Sequence, residues 1–335
     1  MKQWLLPLLL SLSACSGYNG DKAIANYQQR LARVLEATPL TDDMPMAATL
    51  AEQRDLKQPL PDLRLDITDA YATRRCGLDT LIGERNSSLG KVYSASKQLN
   101  YELRFLSQLQ QCLTQSWDNT ALLSQLQQVY QQKQDSIGVA FNNMLLTDDT
   151  LRKELLGIRS PLPITQAKGI SETWQALTKL NQLQQFIAAQ NWQAASQVDI
   201  EQQLQVLYHY NSLGRLQYSL RSASHRLAQL NQMLESIKPQ QLCQPRANQQ
   251  QLEILANVFN TFFIAEVQQY TVNLQGYQQQ LWPLLAQLYA ETPLQQALAQ
   301  RFDGSLVQMR TELAEHVRWW QALNSHCPLQ LTPQR

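Results

Sequence analysis

Residues 170–189 read ISETWQALTKLNQLQQFIAA, and in them Trp174, Leu177, Leu180 and Leu183 recur every three residues with Gln, Lys and Thr between. An apolar stripe at that spacing covers one face of an α-helix and leaves the rest to water. The pattern continues outward in both directions. Downstream, Leu204, Leu207, Leu216, Leu220, Leu227 and Leu234 mark a run from Asn191 to about Ile237. That run is long for a globular helix, and Gly214 is the expected bend. Leu252, Leu255, Phe259, Phe263, Val267 and Tyr270 mark a rod over 247–289 that Gly276 and Pro283 interrupt, and Phe302, Leu306, Met309, Leu313 and Trp320 mark a last helix over 294–324.

Upstream, Leu122, Leu126, Val129 and Phe141 predict a helix over 119–146. Asp148 caps a short helix that ends near Ile158, because Ser160-Pro161-Leu162-Pro163 breaks the pattern. Residues 67–85 and a helix capped by Ser94 or Ser96 are joined by a short link, so they must lie side by side as a helical hairpin to bury their stripes. Ile24, Tyr27, Leu31 and Val34 predict a first helix over 21–37. Between that helix and the hairpin fall Pro39, Pro45, Pro59 and Pro61, which no single helix tolerates. This stretch is expected to wrap over the body in extended pieces, with a short helix around 46–53. No run alternates in the manner of a strand. The expectation is an all-α, elongated multi-helix bundle with long antiparallel helices and a proline-rich N-terminal wrapping segment. An N-terminal helical region, 21–160, and a C-terminal long-helix bundle, 161–335, would form one continuous body.

The chain opens Met1-Lys2, continues through the apolar stretch Trp4 to Leu10, and reaches Leu12-Ser13-Ala14 directly before Cys15. A charged start, a short apolar middle and small residues at a cleavage point describe a secretory leader, 1–14, too short to span a bilayer. A small pair immediately before a cysteine further predicts lipidation of Cys15, with 15–20 as a polar tether. Ser16 in place of Asp points, in a Gram-negative cell, to the periplasmic face of the outer membrane. Attachment to a membrane would then run through the N-terminal lipid.

Lys and Arg number 28 against 27 Asp and Glu, and 27 of each remain once Lys2 is removed. No long-range field draws such a chain to nucleic acid. Fifty glutamines dominate the polar positions, and their alternation with Leu and aromatic residues at helical spacing assigns them to solvated helix faces. Cys76, Cys112, Cys243 and Cys327 permit two disulfides in three pairings in an oxidising compartment. The hairpin favours Cys76 with Cys112, despite an axial offset of roughly 10 Å at 1.5 Å per residue. Reversal of the chain near Thr292-Pro293 favours Cys243 with Cys327.

The polar run from Glu84 to Lys91 is the candidate recognition loop, with Arg85, Asn86, Ser87, Ser88 and Lys91 as its polar side chains. Two cations, an amide and two hydroxyls on a turning backbone suit an anion or a partner's carboxylate. They equally suit a helix stop in which Arg85 pairs with Glu84 or Glu102. Gly90-Lys91 does not complete a phosphate-binding loop, because Arg85 stands at the first glycine position and Val92 at the metal-binding hydroxyl. Ser94 and Lys97 have the spacing of penicillin-recognising enzymes without the other elements of that site. His209, His225, His316 and His326 form no metal-binding pair. His209, between Tyr208 and Tyr210, is expected to be a partly buried, hydrogen-bonded ring. Trp174, Trp282, Trp319 and Trp320 are candidates to line an apolar groove, with Trp320 also on a core stripe. No catalytic residue, metal or cofactor is assigned.

Cys15 after its small residues, Arg74-Arg75-Cys76-Gly77-Leu78, Leu81 to Val92 and Tyr101 to Leu106 together resemble a family of uncharacterised gammaproteobacterial lipoproteins known only as a domain of unknown function. The resemblance spans nearly the whole chain and is sharpest from Arg74 to Leu106. Where the family has Pro-Ser before the second helix, this chain has Ala95-Ser96. The resemblance implies membrane attachment, draws attention to Arg85, Asn86, Ser87 and Lys91, and implies no activity. The function expected is a non-catalytic, lipid-anchored module binding a protein or other envelope component. The alternative is an envelope enzyme or small-ligand carrier with a pocket built from distant residues.

Overall fold

The computed structural model describes residues 18–61, 67–243 and 248–327, together with 329 and 331. The expected leader, 1–14, and Cys15 lie outside the described residues. The architecture is an all-α, elongated multi-helix bundle. Among the described residues there is no strand, only an isolated bridge between Asn19 and Pro163, and no helix is long and apolar enough to cross a membrane.

Four helices of the first half begin where a short polar side chain meets the first free amides, whereas Ile170–Ala188, Ser212–Glu235, Gln269–Leu288 and Ser305–His326 start without a side-chain cap. Asn19 accepts from Lys22 N, Ser94 from Lys97 N, Asn119 from Leu122 N, and Asp148 from both Thr150 N and Leu151 N. Each such cap contributes about 1 kcal/mol. They open Gly20–Leu35, Ala95–Leu113, Thr120–Thr147 and Asp149–Leu156. Ser212–Glu235 lies along Ser305–His326, Ala95–Leu113 along Thr120–Thr147, and Ile170–Ala188 along Gln269–Leu288. Gly20–Leu35 buries Ile24, Tyr27 and Leu31 completely, against Ser212–Glu235 and Phe259–Gln268. Each fully buried side chain of this size stabilises the fold by about 1.5–3 kcal/mol. A smaller apolar cluster under the hairpin joins Leu78, Leu81, Tyr101, Phe105 and Leu109 to Leu122 and Leu126.

Cys76 is bonded to Cys112 and Cys243 to Cys327, with Cα separations of 5.4 and 5.3 Å. The first bridge spans the hairpin. Its outer arm is not one helix over 67–85 but Ile67–Ala72, a 3-10 turn Thr73–Cys76 and Leu78–Asn86.

Three other expectations are corrected. The long run after Asn191 is broken into Trp192–Ser196, Ile200–Tyr210 and Ser212–Glu235, and the last break falls at Asn211, in left-handed conformation with φ of 52°. Gly214 sits inside a helix instead: a Cβ there would meet Ile158 N at 3.2 Å, so glycine admits the close crossing of the 157–158 backbone. The rod near 247–289 runs on through Gly276 and Pro283 as Gln249–Val258, Phe259–Gln268 and Gln269–Leu288, and its irregularity is the π-helical middle section. Leu255, Phe259, Phe263 and Val267 are all buried at a spacing of four. In an α-helix that spacing drifts about 40° per step, and wider π turns cancel the drift and keep the stripe facing inward. Finally, the short helix in the proline-rich stretch is Gln53–Leu56, with 37–52 non-helical.

That stretch is bound through its own backbone. Leu40 O accepts from Gln28 Nε2, Asp42 O from Gln229 Nε2 and His225 Nε2, Ala48 O from Arg301, and Ala51 O from Arg152 Nη2. These side chains come from several helices, so four carbonyls of the stretch are held at separate points of the bundle.

Candidate functional site

The loop after Leu78–Asn86 is built by Ser87 and Gly90. Ser87 Oγ donates to Glu84 O at 2.7 Å and accepts from Gly90 N at 3.0 Å. A Cβ on Gly90 would lie 2.3 Å from Glu84 O and 2.6 Å from Arg85 O, a contact only glycine avoids. Arg85 donates from Nη1 to Gly90 O and lies over the Tyr93 ring at 5.9 Å. The pairing of Arg85 with Glu84 or Glu102 that a simple helix stop predicts is not formed, since those acids are taken by Arg104 and Lys133. Glu84 is held by Arg104 in a bidentate pair at 2.8 and 3.2 Å and by Tyr93 Oη at 2.8 Å. The Arg104 hydrogen bond, foremost, keeps its carboxyl below the usual range. Glu102 is taken by Lys133 and Gln98.

These contacts form one side of a cleft of about 720 Å³. Arg85, Asn86 and Lys91 line it, whereas Ser87 and Ser88 do not. Its floor is the buried Lys133–Glu102 pair, whose side chains are 10% and 8% exposed. Lys133 Nζ lies 5.8 Å over the Tyr101 ring and 5.2 Å over that of Phe105, so the cation is held by aromatic faces as well as by its acid. Burial raises the Tyr101 phenol well above its ordinary value, which keeps it neutral. The opposite wall is the 57–61 stretch, pinned by Asn143: Gln58 N donates to Asn143 Oδ1 at 2.9 Å, and Asn143 Nδ2 to Gln58 O at 2.8 Å.

The charge balance of this cleft decides its chemistry. Among the described residues Lys57, Arg85, Lys91 and Lys133 line it against Glu102, and Glu102 is already neutralised by Lys133. Lys57 and Lys91 are exposed and have no ion-pair partner among the described residues. Leu89 and Val92, beside Lys91, are 75% and 77% exposed. A basic rim, an aromatic floor and a flanking apolar edge suit an anionic group attached to a larger body.

Other predicted residues are dispersed. His209 is exposed and only rests an edge on Tyr210, at 4.7 Å, in place of the partly buried ring expected. The tryptophans do not share a groove. Trp282 stacks on Phe302 at 5.3 Å and donates to Asp303, Trp319 donates to Ile237 O, Trp320 is buried, and Trp174 is 40% exposed. Among the described residues no group of three or more His, Cys, Asp or Glu could hold a metal ion. Sequence reasoning missed Lys133, Gln98 and Asn143, and placed Glu102 only as a partner of Arg85; each is a polar residue on or beside an apolar helical stripe, the signal that could have found them.

A family model described as a protein of unknown function, DUF3080, matches residues 24–331. No curated protein and no solved structure matches the chain.

Proposed function

We infer that the chain, which belongs to the DUF3080 family, is a non-catalytic binding module of the cell envelope. It is held to the periplasmic face of an outer membrane by lipid on Cys15 and recognises an acidic partner through the Lys57–Arg85–Lys91 cleft. One observation carries the binding half of this reading: among the described residues, the rim cations of the cleft face a floor whose one carboxylate is already spent on Lys133. The exposed Leu89 and Val92 beside the rim favour a protein partner over a free ion, since apolar contact adds to affinity only where a surface covers it. The anchoring half rests on Met1-Lys2, the apolar run and Leu12-Ser13-Ala14-Cys15.

Crosslinking in intact envelopes, followed by affinity capture, tests the binding. The expected result is a partner enriched over a Cys15→Ser control and recovered about tenfold less with Lys57→Ala/Lys91→Ala, a pair of rim changes that leaves helical content intact. No enrichment over the control defeats the proposal. Mass spectrometry of the mature protein tests the anchor, and an unmodified Cys15 or a retained Met1 sinks it. The aromatic floor of Tyr101 and Phe105 supports a second reading, a carrier of a small amphipathic anion. That reading is favoured if the purified chain retains a small molecule which the same double variant releases.

A further inference from the structure

A second cleft, of about 300 Å³, opens between residues 45–48, Ser212–Glu235 and Gln300–Gly304, and shares no lining residue with the first. Arg221, Arg301, His225 and Ser224 line it, and no carboxylate of the described residues does. Arg301 is only 7% exposed. Its guanidinium donates to Ala48 O, to Leu155 O at 2.7 Å, to Leu156 O at 3.1 Å and to Gln217 Oε1 at 3.1 Å, all uncharged acceptors. Arg221 makes no hydrogen bond with a described residue, and its Nε is buried without a partner. The Oγ of Ser224, a residue 2% exposed, is also unpartnered. Arg152 adds a third cation close by: it donates to Ala51 O, while its Nε and Nη1 stay buried and unpaired.

Carbonyl dipoles solvate a guanidinium but do not cancel its charge, and cations withdrawn from water are ordinarily matched by an acid. Here none of the three has a carboxylate of the described residues within ion-pair distance. Burial first, and then the charges of Arg221 and Arg152, push the Arg301 guanidinium below its ordinary range. The missing counter-charge, the unpartnered donors and the open volume coincide. His225 spends its Nε2 proton on Asp42 O, whereas Arg221 Nε and Ser224 Oγ are buried donors without a partner.

We propose that this cleft binds a small oxyanion, a phosphate or carboxylate group, between Arg221 and Arg301 with Ser224 Oγ as a further donor. The volume accommodates one such group and a short attached body. The planar fork of Arg221 matches two of its oxygens, while Arg301, whose donors are committed to protein acceptors, supplies an uncompensated positive charge beside it.

Thermal unfolding of the purified chain tests the site at constant ionic strength in chloride, inorganic phosphate or succinate, and with phosphatidylglycerol vesicles. Saturating phosphate or succinate is expected to raise the midpoint by several degrees, as a ligand of the native state alone must. In Arg221→Gln the apparent affinity falls about 10- to 100-fold, the loss of a charge-assisted donor pair. Arg221→Lys keeps the charge without the fork, is the milder change for folding, and gives an intermediate loss. Lys57→Ala/Lys91→Ala, in the other cleft, leaves the response unchanged, so failure of the partner proposal is distinguishable from failure of this one. Protection by the vesicles alone, absent from Arg221→Gln, supports the site with a lipid headgroup as source, whereas protection by free anions supports a soluble ligand. No protection by any probe, or equal protection of both Arg221 variants and the natural chain, overturns it.

Discussion

Glu154 and His316 are buried titratable side chains whose surroundings set opposite slopes in the pH dependence of stability. Glu154, 1% exposed, accepts from Gly214 N at 3.0 Å, and burial pushes its carboxyl up to about 7 in spite of that bond. His316, fully buried, receives Trp320 Nε1 at 3.1 Å and lies 2.7 Å from Tyr27 Oη, and burial holds its imidazole down to about 3. For Glu154 the folded value is the higher one, so its stabilisation is complete below the unfolded carboxyl value and is lost as pH rises through about 7. For His316 the folded value is the lower one, so stability is complete above the unfolded imidazole value and is lost as pH falls towards about 3. Between pH 7 and pH 5 each effect amounts to about 2 kcal/mol, in opposite senses. Glu154→Gln keeps an acceptor for Gly214 N and removes one slope. It is expected to be more stable than the natural chain by about 3 kcal/mol at pH 7 and by about 1 kcal/mol at pH 5. Urea titrations at the two pH values check this, and an advantage independent of pH refutes it. Neither residue announces itself in the sequence, because His316 next to Val317 gives no sign that its ring turns inward towards Tyr27, 289 positions away.

At the scale of elements, the helices and many of their starts follow from spacing and caps, since both act within a few residues. Asn119, Asp148 and Ser94 are where short-range chemistry puts them. The π section Phe259–Gln268 carries a four-residue stripe that spacing alone assigns to an ordinary helix, because the choice between slightly different turns depends on what the stripe packs against. The 57–61 wall shows the same limit. Nothing near Gln58 specifies its path; Asn143, 85 positions on, reads its amide and carbonyl together. Asn143→Ala is therefore expected to cost about 1–3 kcal/mol and to speed tryptic cleavage after Lys57 with helical content unchanged. Unaltered cleavage in limited proteolysis would show that the wall is held by other contacts.

Across the whole molecule, the proline-rich stretch contributes to both clefts from either side of its short helix Gln53–Leu56: 45–48 lines the oxyanion cleft and 57–61 the partner cleft. The two disulfides act at the same scale, tying residues 36 and 84 positions apart. On chain-entropy grounds they stabilise by about 4 and about 5 kcal/mol respectively. The apolar core reaches from Ile24 to Cys327, so reduction is expected to lower the unfolding midpoint while leaving the helical circular dichroism at room temperature in place. Loss of that signal on reduction would mean that the bridges, and not the core, decide whether the chain folds. Of the candidate recognition loop, the sequence marked Arg85, Asn86 and Lys91, which the cleft does gather, but not that Arg85 is partly spent on Gly90 O.

What the residues determined unaided is local: helical class, capped starts, the hairpin and a loop rich in cations, each the product of side chains a turn or less apart. Only the tertiary structure decided which charges meet. Lys133 finds Glu102 from 31 positions away, whereas Arg221 and Arg301 are brought together with no acid of the described residues beside them. Coulombic pairing and burial depend on distance in space, and the packing of whole helices sets that distance.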